Sequence, residues 1–170
     1  ILNNHVLGNS DFLTGAFPAE YGNALSAVFD MKLRTGNQEK REHAFQAGAL
    51  GLDFSSEGPF VKGRKASYLF NYRYSTMGLV KAFLPASEGM PVYQDLCFKL
   101  NFPHKKGVLS IWGAGGIDDY TYGDIKKTNA ESGAIFINDQ GNTGFVGLKY
   151  NHFINQTTYS SISLLANATT

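Results

Sequence analysis

The chain has 170 residues, with 15 Lys and Arg, 14 Asp and Glu and a formal net charge of +1, which gives no reason to expect nucleic acid, whose binding face usually needs a concentrated basic stripe. Its single cysteine, Cys97, excludes an internal disulfide and reads as a small apolar filler. There is no signal-peptide pattern and no unbroken run of about 20 apolar residues, so a helical membrane span is excluded, whereas a barrel strand needs only about ten residues of alternating polarity.

Composition points to an all-β chain. The 19 Gly, 9 Tyr and 13 Phe stand beside only 5 Pro, which fits pleated aromatic faces joined by turns. In the first thirty-odd residues Asn3, Asn4, Gly8, Asn9, Gly15, Pro18 and Gly22 interrupt short apolar pieces, so no long element fits there. The end of this region runs Ala19-Glu20-Tyr21-Gly22, a few small residues, then Val28-Phe29-Asp30-Met31-Lys32-Leu33-Arg34-Thr35-Gly36. An acidic residue with Tyr-Gly, an alternating apolar strand, then a basic residue and Gly resembles the plug-to-barrel boundary of TonB-dependent outer-membrane receptors. The chain departs from that pattern at Ser26-Ala27, where the family often has a small residue followed by Gly.

The resemblance implies two parts: residues 1–36 as the C-terminal end of a plug domain, and residues 37–170 as the first strands of a barrel. The strand ending at Arg34 would rise out of the plug. Ala44 to Phe54 would descend to a periplasmic turn at Glu57-Gly58-Pro59-Phe60. About six or seven strands would be present here, against about 22 in the plugged transporters. The chain would then be a slice of an outer-membrane receptor that takes up an extracellular small ligand: an iron chelate, cobalamin, glycan or peptide. Its plug would be pulled by the TonB energy-transducing complex through a preceding segment.

Further along, Ser67 to Ser75 alternates with the period of two that a half-buried strand requires. Tyr68, Phe70, Tyr72 and Tyr74 fall on one side; Ser67, Asn71, Arg73 and Ser75 fall on the other, with Leu69 as the apolar exception. Val92 to Phe102 repeats this, with Leu96, Phe98, Leu100 and Phe102 opposite Tyr93, Asp95, Cys97, Lys99 and Asn101. Noisier strands are expected around Phe45–Phe54, Val108–Ile117, Thr143–Ile154 and Thr157–Ala166. Short links at 58–65, 103–107 and 155–156 take turns with long ones at Met77–Met90 and Asp118–Gly141, the asymmetry of membrane barrels. The expected fold is an antiparallel meander forming part of a transmembrane β-barrel.

Asn71, Arg73, Asp95 and Lys99 are expected on the lumen face, where they would anchor the plug with Glu20, Tyr21, Gly22, Asp30 and Arg34. Glu20 and Asp30 are the plausible carboxylate partners. The other reading is ordinary polar residues on the wet side of an antiparallel sheet. Asp118, Asp119, Tyr120, Tyr122 and Asp124 open the longest loop as a candidate outer-ligand surface, against the alternative of a solvated loop tip. The aromatic rows, with Trp112 among them, would face the lipid bilayer or another sheet. A fragment made alone is expected to self-associate.

Enzyme signals are poor. His5, His43, His104 and His152 lack metal-ligand spacing. Gly113-Ala114-Gly115-Gly116 lacks the downstream Gly-Lys-Ser/Thr of a phosphate loop and reads as strand glycines. Ser26 and Cys97 have no nearby base in sequence. No catalytic residue, metal or cofactor is expected. The rival reading is a soluble β-sandwich or small barrel that binds a carbohydrate or other ligand.

Overall fold

The computed structural model describes residues 5–15, 17–22, 24–49, 51–77, 92–123 and 136–170. These residues form nine strands: β1 (Asp11–Thr14), β2 (Ala27–Asp30), β3 (Glu42–Gly48), β4 (Gly51–Pro59), β5 (Ser67–Tyr74), β6 (Val92–His104), β7 (Gly107–Gly123), β8 (Phe136–Phe153) and β9 (Tyr159–Thr169). β1 and β2 pair alone, and β3 to β9 form one antiparallel sheet in sequence order. The protein is therefore all-β. Among the described residues a 3-10 turn at Ala19–Tyr21 is the one named helical piece, and no helix is long and apolar enough to cross a membrane.

Register sorts the side chains into two faces, because residues paired across strands share a side of the sheet. One row runs Asn71, Cys97, Ala114, Phe145, and neighbouring rows add Leu69, Arg73, Asp95, Lys99 and Asn101. The opposite face carries Phe54, Phe70, Tyr72, Leu96, Phe98, Ile111, Val146 and Leu164.

Burial falls on the more polar face. Leu69, Cys97 and Ala114 are buried with Val6 and pack against Leu33 and Phe145, while Ser67, Asn71, Ser75, Asp95 and Asn101 on that side are also buried. The apolar face stays open even on interior strands: Phe54 is 40% exposed, Tyr72 36%, Ile117 52% and Val146 48%. A water-soluble sheet buries the other way round.

The N-terminal segment supplies the cover. Val6 accepts from the Arg34 amide and Lys32 accepts from the Gly8 amide, with Leu7 bridging Leu33, so residues 6–8 and 32–34 form one narrow ribbon. Gly36 then lies against the Tyr68 carbonyl, where a Cβ would collide with backbone. In the turn after β4, Gly63 takes a φ of +80° and the Arg64 amide bonds the Val61 carbonyl at 3.0 Å, a left-handed position that favours glycine.

Four expectations change. The span Ala44 to Phe54 is a hairpin, with Phe45 opposite Phe54 and Gly48 opposite Gly51; apolar residues on both arms share one face, so the pattern ran through the turn unbroken. No strand continues to Arg34, because β2 stops at Asp30 and Leu33 makes only an isolated bridge. Asp118, Asp119, Tyr120 and Tyr122 are strand residues of β7, paired out to Gly123–Phe136; Gly141 opposite Asp118 leaves room for its carboxylate, so charge did not end the strand. Trp112 pairs with Lys99 and Gly147 on the polar face, its indole filling the space where Gly147 lacks a side chain.

Candidate functional site

The contacts that join the N-terminal segment to the sheet centre on Arg34. Its guanidinium meets Glu57 of β4 through two bonds of 2.6 Å, while Nε donates to the His5 carbonyl at 2.6 Å. Glu57 also accepts the Asn37 amide at 2.8 Å. Three donors thus converge on one half-buried carboxylate. Planar fork-to-carboxylate pairing fixes orientation as well as distance, which a lysine would not do.

Two further contacts extend this attachment. Lys99 of β6 reaches across the polar face to donate to the Leu33 carbonyl at 2.7 Å. Asn37 Nδ2 donates to Glu42 at the start of β3 at 2.7 Å, and Lys40 pairs with the same carboxylate at 2.7 Å.

The remaining anchoring candidates are divided between the two sides. Arg73 Nε and Nη2 donate to Asp95 Oδ2 at 3.0 and 2.8 Å, and the guanidinium stands 5.4 Å from the Tyr93 ring centre. Asn71 donates to Asp53 and to the Phe54 carbonyl. These three residues bind the sheet to itself. Within the segment, Asp30 accepts from Tyr21 at 3.1 Å and pairs with Lys32, which also pairs with Asp11. Asp30 ion-pairs within the segment, and Lys149 of the polar face acts on it only through longer-range attraction. The bond from Lys32, with that from Tyr21, holds the Asp30 carboxyl below its ordinary range against desolvation, and the two carboxylates raise Lys32. Glu20 lies in the 3-10 turn that Gly22 ends.

Sequence reasoning missed Glu57, Asn37 and the close approach at Gly36. Glu57 sat inside a Gly-Pro turn motif and read as part of the turn. Its position on the same face as Leu69 and Lys99 follows only from register.

Of the outer-ligand candidates, Asp118 and Asp119 do not share a face, being successive strand residues; Asp119 accepts weakly from Gln140 at 3.5 Å. Tyr120 shares the face of Asp118 by parity, Tyr122 pairs along the backbone with Ile137, and Asp124 lies outside the described residues. Among the described residues no group of three or more His, Cys, Asp and Glu is placed to hold a metal.

Fold and site together define an antiparallel meander whose polar face is partly covered, over its middle strands, by its own N-terminal segment and whose apolar face is open. Compared with protein-family models, curated proteins and solved structures, the chain finds no match.

Proposed function

We propose that this chain is the plug-to-barrel junction and the first strands of a TonB-dependent outer-membrane receptor, working in energised uptake of a small extracellular ligand. One observation carries the reading: Asn71, Asp95 and Ser67 are buried on the face that Val6, Leu33 and Arg34 also pack against, while Phe54, Tyr72 and Val146 remain open on the other side. A bilayer is the surrounding that makes this arrangement favourable, since lipid covers the apolar band and closed strand pairing satisfies the backbone.

Topology adds support. Strands run alternately up and down, so the turns at 60–66, 105–106 and 154–158 share one end, and the links after β5 and β7 leave from the other. Residues 1–36 act as the end of the plug, and Arg34, Asn37 and Lys99 fasten it to the wall. Asn71, Arg73 and Asp95 stiffen that wall.

The test is an immunoblot of fractionated source cells with an antibody raised against the chain. A heat-modifiable band several times larger than 18.6 kDa, confined to the outer membrane, supports the receptor. A soluble band near that mass supports the rival ligand-binding module instead.

A further inference from the structure

At the turn end of the sheet the apolar face finishes in a row of rings. Tyr68 lies 5.5 Å from Phe60, Phe60 stacks on Phe102 at 5.3 Å and 12°, and His104 stacks on Tyr150 at 5.7 Å and 10°. Tyr150 OH and His152 Nδ1 lie 3.3 Å apart. Aromatic rings with polar edges collect at the boundary between hydrocarbon and headgroups.

Immediately beyond these rings the charge has one sign. The turn at 60–66 carries Lys62, Arg64 and Lys65, and the turn after β6 carries Lys105 and Lys106; all five are exposed and neither turn contains an acid. Their side chains form no ion pair among the described residues. This contrasts with Arg34, Lys32, Lys40 and Arg73, each of which has a carboxylate partner. Lys62 also lines a cleft of about 400 Å³ with Lys40, Arg41 and Pro59, with Glu39 as its one acid. A phosphate group placed there meets Lys62 and Arg41, Lys40 being already paired with Glu42.

We propose that this collar binds the headgroups of anionic phospholipids in the leaflet at the turn end. The inference rests on the reading that the apolar face meets lipid and adds the chemistry of the leaflet. Phosphodiester oxygens accept from the lysines and Arg64 while the acyl chains continue along Phe102 and Phe60. The rings set the depth, and the cations select the charge. Each basic residue near an anionic surface strengthens binding by about fivefold at moderate salt.

The test compares partition of the protein into vesicles of phosphatidylcholine alone and of phosphatidylcholine with a quarter phosphatidylglycerol. The expected result is association with both, stronger by about tenfold or more with the anionic vesicles, and a preference that fades at high salt. Combined Lys62→Gln, Arg64→Gln, Lys65→Gln, Lys105→Gln and Lys106→Gln should abolish the preference while strand content and binding to neutral vesicles persist. Replacing the four lysines by Arg should retain it. Equal partition into both vesicles, or a preference that survives the Gln changes, overturns the headgroup assignment alone. Failure to associate with either vesicle overturns both this assignment and the lipid-facing reading.

Discussion

Arg34 and Glu57 stand 23 residues apart and meet through two parallel bonds of 2.6 Å, Nη1 to Oε2 and Nη2 to Oε1. The residue that ends the N-terminal ribbon is thereby held to the second strand of the sheet. Glu57 is the better buried partner, with 14% of its side chain exposed against 35% for Arg34, so loss of the arginine strands a carboxylate more than loss of the carboxylate strands the arginine.

Glu57→Gln should release residues 5–37 to protease at a concentration that leaves the parent intact, with a loss of about 1–3 kcal/mol for the charge-assisted pair. Arg34→Lys keeps the charge but not the fork, and should fall between the two. Limited proteolysis with mass mapping reads both.

Gly36→Ala should weaken the same attachment by a different route. The added methyl meets the Tyr68 carbonyl and the Leu69 amide, backbone atoms that cannot rotate away. Overpacking of this kind costs about 1–3 kcal/mol. Hydrogen exchange at residues 5–8 and 32–37 should speed up while β6 and β7 keep their protection.

Arg73→Ala should destabilise the sheet without freeing the segment. It leaves Asp95, 4% exposed, as a buried charge with no counter-ion, at about 3–5 kcal/mol. The double change Arg73→Ala with Asp95→Asn should recover much of that in a denaturant titration. Proteolysis of residues 5–37 in native conditions should match the parent in both variants; early cleavage there would give Arg73 the anchoring role the sequence assigned to it.

Acid should open the small β1–β2 hairpin. Asp30 is held below its ordinary value of 3.8, first by Lys32 and then by Tyr21. A carboxyl lowered in the folded state contributes stability above its unfolded pKa and loses it as pH falls through the folded value. The Lys32 contacts are exposed, so salt should reduce the effect. Amide exchange of β1 and β2 should accelerate below about pH 4 relative to β6, after correction for intrinsic rates, and Asp30→Asn should remove that dependence.

How much of this was legible depended on where strand parity was clean. Tyr68 to Tyr74 and Leu96 to Phe102 alternate with Leu69 as the one marked exception, and their two faces fall where the sequence put them. The β3–β4 hairpin was hidden because Phe45 and Phe54 lie on one face from opposite arms. The ends of β7 and β8 were hidden because Asp118 and Asp119 looked like loop chemistry, although Gly141 gives one of them space in a strand. Trp112 was placed by its aromatic character when the indole belonged over Gly147. At the site, Arg34 was visible from its motif. Glu57 was not, since only the register of β4 on β5 brings it beneath the segment.

The proposed receptor requires that the Leu96, Phe98 and Leu100 face of β6 meets lipid. Nitroxide labels placed singly at Leu96, Cys97, Phe98, Lys99 and Leu100, in a background free of other cysteines and with the protein in vesicles, report collisions with dissolved oxygen and with an aqueous nickel chelate. The account predicts high oxygen and low nickel collision at 96, 98 and 100, with 97 and 99 shielded from both beneath residues 6 and 33. Nickel access at 96, 98 and 100, or oxygen access that peaks at 97 and 99, would contradict it.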